Sequence, residues 1–281
     1  MKEHFMLIKI KRVSNSINFL LSRLQTPTPD FYGVFSRFDQ VQDENPWNQE
    51  SWVNGNRAKL DALQIGHFST HSSGPVSDQS HILLPALVIN HLVKELRGER
   101  RVTVLDFGGG TGFSYFPIST YLSDKTKVQW NVFDKNQKLY QVGREYAERR
   151  RNLGVVDNIA FCNEFPEGAV DVIHGASVLE YIDNDIGLLT YLAERYKPKY
   201  FLMTRIKGGN IDTFVTRQVV GGSSTPCRFS NVPNLIATFE KLGYGVMLNA
   251  PCGSFEASQF LDIPEHLQIR RSVDLVLRRH G

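Results

Sequence analysis

Val104-Leu105-Asp106-Phe107-Gly108-Gly109-Gly110-Thr111-Gly112 is the stretch that decides the fold. It continues Arg101-Val102-Thr103-Val104, a β-branched run that reads as a buried strand. Asp106 then precedes glycines at alternate positions, Gly108, Gly110 and Gly112. Glycines at a strand end permit a tight turn, and a backbone without Cβ atoms lets a flat polar ligand come close. The dinucleotide fingerprint G-x-G-x-x-G fails here. A frame begun at Gly108 puts Phe113 where the last glycine belongs, and no other frame in the loop fits. The spacing disfavours a nicotinamide cofactor.

Working outward, Val128-Gln129-Trp130-Asn131-Val132-Phe133-Asp134 reads as the next strand, with an acid at its carboxyl end. Phe113 to Ser123 supplies the crossover helix, with Pro117 tolerable only near its first turn. Lys135 to Arg151 is a helix whose cationic end, Arg149, Arg150 and Arg151 before Gly154, suits the helix dipole. Strands follow at Asn158 to Cys162, Val170 to His174 and Tyr200 to Ile206, with helices at Asp185 to Tyr196 and Val232 to Leu242. Tyr244 to Asn249 and Ser272 to Arg279 close the pattern as two successive strands. The expectation is an α/β, Rossmann-like, mostly parallel seven-stranded sheet with helices on both faces and an antiparallel C-terminal edge hairpin.

Composition fits an enzyme-sized unit. The chain has 281 residues, 41% of them hydrophobic, which is enough for a substantial core. A net charge of +3 demands neither nucleic acid nor another polyanion. Cys162, Cys227 and Cys252 are scattered without C-x-x-C spacing, which suggests a reducing, cytoplasmic setting. No apolar run reaches transmembrane length, and no A-x-A-like cleavage site follows the N-terminus.

Three segments are expected: 1–30 as an N-terminal helical extension and linker, 31–98 as a cap on the substrate side, and 99–281 as the Rossmann-like domain. Met6, Ile10, Val13, Ile17, Leu20 and Leu24 recur at spacings of three and four, with Lys2, Lys9, Lys11, Arg12 and Arg23 adding basic character. Such a helix packs on the domain, joins a homodimer, or lies on an anionic membrane surface, packing being favoured. Phe31 to Ser80 is aromatic and polar without strand periodicity, apart from a helix over Ser51 to Leu63. Gly66 to Ser80 is expected to be a lid or entry loop, and His81 to Leu96 an apolar helix. His67, His71 and His81 have no acidic or cysteine partner at ligand spacing, so no metal is expected.

The glycine loop with its leading acid resembles the first motif of the class I methyltransferases, which use S-adenosylmethionine. Together with Val178-Leu179-Glu180-Tyr181 and Thr225-Pro226-Cys227-Arg228-Phe229-Ser230, it resembles a bacterial family of methyltransferases associated with surface-polysaccharide loci. The similarity runs from about Phe31 to the C-terminus. It implies methyl transfer to a small-molecule or saccharide acceptor, such as a nucleotide sugar, with S-adenosylhomocysteine as product. Gly108, Gly110 and Gly112 would admit the methionine part of the cofactor beside Phe107, and Asp106 would orient the loop and the amino group. Asp134 would hold the ribose, Asn163 or Glu164 the adenine amine, and Ala176 and Ser177 would border the adenine and sulfonium. A hydroxyl acceptor calls for a general base, with Glu180, Asp183 and Arg205 at strand ends and Tyr181 shaping the pocket. Arg205 and Arg228 can each bind a phosphate or serve structurally. His174, within a strand, reads as a core histidine. A cofactor-binding protein without catalysis is the alternative reading.

Overall fold

The structure is a computed structural model that describes residues 29–63, 79–97 and 99–281. In chain order it contains β1 (Phe31–Phe35), α1 (Glu50–Ala62), α2 (Ser80–Glu95), β2 (Val102–Phe107), α3 (Tyr115–Thr120) and β3 (Val128–Phe133). Then come α4 (Gln137–Asn152), β4 (Ile159–Cys162), β5 (Val172–Ala176), α5 (Asp185–Tyr196), β6 (Tyr200–Ile206) and β7 (Gly208–Gly209). The chain ends with β8 (Phe214–Val220), β9 (Ser223–Asn231), α6 (Val232–Lys241), β10 (Tyr244–Cys252), β11 (Phe260–Leu261) and β12 (Ser272–Arg279). The basic N-terminal stripe, His67, His71 and most of the expected lid lie outside the described residues.

Seven strands form one sheet in the order β10-β12-β6-β5-β2-β3-β4. All neighbours from β6 to β4 run parallel, whereas β12 is antiparallel to both β6 and β10. The chain starts in the middle at β2, winds outward to β4, then returns to β5 on the other side. That reversal between β2 and β5 is the switch point at which doubly wound sheets open a crevice for ligands. The expected edge hairpin exists, although β11 and an irregular segment separate its two strands.

Alternation in the strands explains the two cores. Val102, Val104, Trp130, Val132, Val172 and Leu202 face α1 to α4, whose Ile89, Phe116 and Tyr146 are buried against them. Leu105, Ile173, Phe201, Met203 and Leu275 face α5 and α6 with Leu189, Leu192 and Phe239. Parallel strands buried on both faces read as near-continuous apolar runs, as these do. The crossover after β2 is shorter than its sequence suggests: α3 spans only Tyr115–Thr120, with Pro117 at its third position.

A second, five-stranded sheet in the order β11-β1-β8-β9-β7 is a departure from expectation. Phe31–Phe35, expected to lack strand structure, pairs with β8 and β11. β8 and β9 form an antiparallel hairpin whose Val220 and Ser223 pair across Gly221 and Gly222. Both glycines have positive φ, 58° and 87°, as a tight two-residue hairpin turn requires. Phe31, Phe214, Cys227, Phe229 and Phe260 make this sheet's own apolar core. Among the described residues no helix is long and apolar enough to cross a membrane.

Candidate functional site

A cleft of about 1210 Å³ opens at the carboxyl ends of β2, β3, β5 and β6, where the crevice rule places it. Its floor is the glycine loop. Gly108 and Gly109 donate to the Phe133 carbonyl at 2.8 and 3.3 Å, which ties the loop to β3. Gly108, Gly110 and Gly112 adopt φ of 67°, 55° and 69°, left-handed values that favour glycine. The reasons for the three glycines then differ. A Cβ on Gly108 would overlap the Val178 side chain, and one on Gly112 would meet Ile159 Cδ1 at 2.9 Å. A Cβ on Gly110 meets only Leu139 Cδ1 at 3.6 Å and Asp134 Oδ2 at 3.8 Å, ordinary contacts at the cleft wall. Gly108 and Gly112 are small for the fold, whereas Gly110 keeps the cleft clear.

Asp134 is fixed by the same loop. Its Oδ2 accepts from the Gly110 N–H at 2.9 Å and its Oδ1 from the Asn136 N–H at 2.7 Å. Each carboxylate oxygen accepts more than one hydrogen bond, so both retain capacity for a donor from the cleft. Burial raises the pKa of this carboxyl above the ordinary aspartate value, outweighing the two backbone donors that act in the opposite sense. Asn136 caps α4 by accepting from Lys138 and Leu139, which anchors the turn.

Asp106 lines the floor of the cleft beneath the loop. It is 1% exposed, and its carboxylate accepts from Trp130 Nε1 at 3.1 Å and meets His174 Nδ1 at 2.7 Å. A Cβ on Gly109 would lie 2.6 Å from Asp106 Oδ2, so the carboxylate supports the loop from beneath. His174 is fully buried on the neighbouring strand, in register with Asp106, and serves in the core as its position suggested.

Phe107, Phe133 and Phe165 form an aromatic shelf beside the loop. Phe133 and Phe165 stack with centroids 4.2 Å apart, and Phe107 stacks on Phe133 at 5.8 Å. Ala176 and Ser177 border the cleft with them. Asn163 and Glu164 are exposed and lie outside the cleft lining, where Phe165 stands instead. An aromatic shelf gives a flat ring apolar contact and stacking, without a hydrogen bond to an exocyclic amine.

At the other end, the residues expected to be catalytic divide. Glu180 is 2% exposed, absent from the cleft lining, and paired with Lys207 Nζ at 2.5 Å. Tyr181 lines the cleft, donates to Gln218 Oε1 at 2.8 Å, and packs edge-on against Trp47 at 4.7 Å. Burial pushes the Tyr181 phenol well above the ordinary tyrosine range. Burial alone would lower the Lys207 ammonium, but the Glu180 carboxylate, ahead of Tyr181 and Cys227, holds it above the ordinary lysine range. Neither group is a base near neutral pH. Asp183 is at the rim, its side chain 79% exposed. Arg228 is committed to the fold: its guanidinium bonds Asp185 at 2.7 Å and the carbonyls of Ile182 and Asp183. Lys207, Gln218 and Trp47 were not singled out by sequence. Lys207 could have been, standing two residues after Arg205 just past a strand that ends at the crevice.

Ser177 and Arg205 carry non-glycine positive φ, 50° and 60°, at the facing ends of β5 and β6. Such conformations cost of order 1–3 kcal/mol each and persist where their surroundings enforce them. Here Ser177 N donates to Thr204 O at 3.0 Å, and fully buried Asp274 accepts from Arg205 N at 2.7 Å. Ser80 Oγ and Cys252 Sγ donate to the same carboxylate at 2.5 and 2.9 Å.

Among the described residues no group of three or more His, Cys, Asp or Glu side chains could hold a metal ion. Survival of activity in EDTA stays the expectation drawn from the sequence, and turnover lost in EDTA and restored by Mg²⁺ would contradict it.

No family model matches the sequence, and no curated protein matches it either. Solved structures do. Magnesium protoporphyrin IX methyltransferase from Synechocystis PCC 6803, with bound S-adenosylmethionine, aligns at 11% identity and a TM-score of 0.47 over 83% of this chain and 93% of that one. An S-adenosylmethionine-dependent methyltransferase from Clostridium acetobutylicum aligns at 13% identity and 0.47, covering 81% and 99% of the two chains. The 1,6-didemethyltoxoflavin N1-methyltransferase of Burkholderia thailandensis aligns at 12% and 0.48, covering 86% and 95%. Likeness at such identity concerns the path of the chain and not its chemistry.

Proposed function

We propose that the chain is an S-adenosylmethionine-dependent methyltransferase acting on a small-molecule or saccharide acceptor, with a surface-polysaccharide precursor as the favoured case. The observation that carries the reading is Asp134. A carboxylate at the end of the second strand, pinned by the backbone of a glycine loop and still able to accept, suits a ribose diol. The Phe107-Phe133-Phe165 shelf suits a purine, and the open face of Gly110 leaves room for the amino-acid portion. The solved structures named above include proteins crystallised with S-adenosylmethionine or S-adenosylhomocysteine, which is consistent with this assignment. The saccharide acceptor rests on the resemblance in sequence to methyltransferases of surface-polysaccharide loci.

S-adenosylmethionine, when bound, would supply an electrophilic sulfonium methyl that bonds to the acceptor's nucleophilic atom as S-adenosylhomocysteine departs. The protein's share is alignment and exclusion of water. The loop and Asp134 fix the donor end, while Tyr181, Trp47 and Gln218 shape the acceptor end. Glu180 keeps Lys207 charged in that wall and does not act as the base.

Calorimetry with S-adenosylhomocysteine tests the reading. Asp134→Ala is expected to weaken binding by roughly 1.5–3 kcal/mol, the range for hydrogen bonds to a charged group. The raised pKa adds a pH dependence. The ribose needs the ionised carboxylate, so affinity should fall as pH drops through a value above that of ordinary aspartate. Asp134→Asn should remove this acid limb. Equal affinity in parent and Asp134→Ala would refute the assignment.

A further inference from the structure

Arg205 and Lys207 stand at the carboxyl end of β6, and both line the cleft. Three strand steps separate β6 from β3, roughly 14 Å, so these cations lie at the end away from Asp134. An ammonium has three donors. Lys207 gives one to Glu180 at 2.5 Å and a long one to the Tyr181 hydroxyl at 3.4 Å, which leaves a third unspent. Arg205 is exposed, and no acceptor lies within hydrogen-bond reach of its guanidinium among the described residues. Its backbone is nonetheless held in the left-handed region, with buried Asp274 bonded to its N–H at 2.7 Å. A strained backbone maintained by a buried carboxylate, beneath a guanidinium with no partner among the described residues, points to a ligand.

The acids around this end balance the two cations in number but take up no donor of the Arg205 guanidinium and only one of the Lys207 ammonium, so what faces the cleft is donors rather than a net positive charge. Glu180 is matched one to one by Lys207, Asp183 faces solvent at the rim, and Asp274 is engaged by three protein donors. Asp30 accepts from Gln259 Nε2 at 2.7 Å. Arg228, the other arginine available for such a role, is consumed by Asp185 and two carbonyls.

We propose that Arg205 and Lys207 form a subsite for an anionic group of the acceptor, a carboxylate or phosphoryl oxyanion. The inference rests on the methyl-transfer reading only for the word acceptor. Arginine and lysine are complementary here, the first as a planar fork and the second as a point charge. The substrate class is then an acidic small molecule, such as a uronic acid or a sugar phosphate, in preference to a neutral sugar.

The test uses the full chain saturated with S-adenosylhomocysteine and follows tryptophan emission, to which Trp47 beside Tyr181 contributes. Inorganic phosphate, glucose 1-phosphate, glucuronate and glucose are titrated in turn. Saturable binding is expected for at least one of the three anions and not for glucose, and the preferred anion distinguishes phosphoryl from carboxylate. Arg205→Ala should lower that affinity about tenfold or more while S-adenosylhomocysteine affinity stays within about twofold. A Glu180→Gln/Lys207→Met double variant, which leaves no unpaired buried charge, should do the same. No saturable response to any anion at tens of millimolar overturns the subsite, as does undiminished affinity in Arg205→Ala. A matching loss of S-adenosylhomocysteine affinity in Arg205→Ala also overturns it, by assigning that cation to the cofactor's own carboxylate. Failure of the parent to bind S-adenosylhomocysteine is a separate outcome, which defeats the methyltransferase reading while the anion titration still decides the subsite.

Discussion

Gly110→Val should abolish measurable S-adenosylhomocysteine binding while the protein remains folded. The new Cβ meets no overlap among the described residues, approaching Leu139 and Asp134 at ordinary distances. It would project instead into the cleft beside the carboxylate that holds the ribose. Two effects then combine. The branched side chain occupies the space proposed for the methionine portion, and a φ of 55° costs a β-branched residue of order 1–3 kcal/mol. Part of that strain would be relieved by moving the Gly110 N–H off Asp134, which loosens the ribose anchor as well. Circular dichroism and thermal unfolding should show a folded protein with a lowered midpoint, and calorimetry no heat of binding. Gly108→Val is the contrast: its Cβ would strike Val178, so folding itself should suffer. Unchanged affinity in Gly110→Val would remove the loop from the cofactor site.

The first βαβ unit is legible in the sequence because its signals are local. The β-branched runs, spaced glycines and Asp134 each act through neighbours within the unit, and the structure adds only the bonds between them. Antiparallel closure by β10 and β12 is legible too, since no helix-period segment intervenes. The second sheet is not, because its strands come from distant parts of the chain. Phe31-Tyr32-Gly33-Val34-Phe35 becomes a strand through pairing with residues 215–218 and 260–261, which no local pattern announces. The β8–β9 hairpin is different. Gly221-Gly222 between Val219-Val220 and Ser223-Ser224 is a short-range turn signal, and reading it would have located two strands of that sheet. Glu180 shows the other limit. Its place in sequence is right for a base at a strand end, but burial and Lys207 decide its role, and both are tertiary. Phe165 replaces Asn163 and Glu164 for a similar reason: a few residues of turn geometry determine which side chain faces the cleft.

Lys207→Met should be the most destabilising of the single substitutions at the acceptor end. The Glu180 carboxylate, 2% exposed, would lose the one cation paired with it among the described residues and stay buried beside Cys227. Removing one partner of a buried pair typically costs about 3–5 kcal/mol, because the remaining charge is left uncompensated. Glu180→Gln/Lys207→Met should recover most of that loss, since neither member then carries charge. Urea unfolding of the parent, the single variant and the double variant closes the comparison, with the midpoint rather than the slope carrying the effect. The pair also predicts a pH profile. Lys207 is held above its ordinary value, so the stabilisation is fully present below about pH 10 and lost only as pH rises through the folded-state value. Stability between about pH 6 and pH 9 should therefore be insensitive to this pair, and its alkaline loss should be absent in the double variant. If the single variant were as stable as the parent, Glu180 would have to be neutral or solvated in the native state. The charged wall proposed for the acceptor would then lose its buried half, leaving Arg205 as the sole cation to meet an anion there.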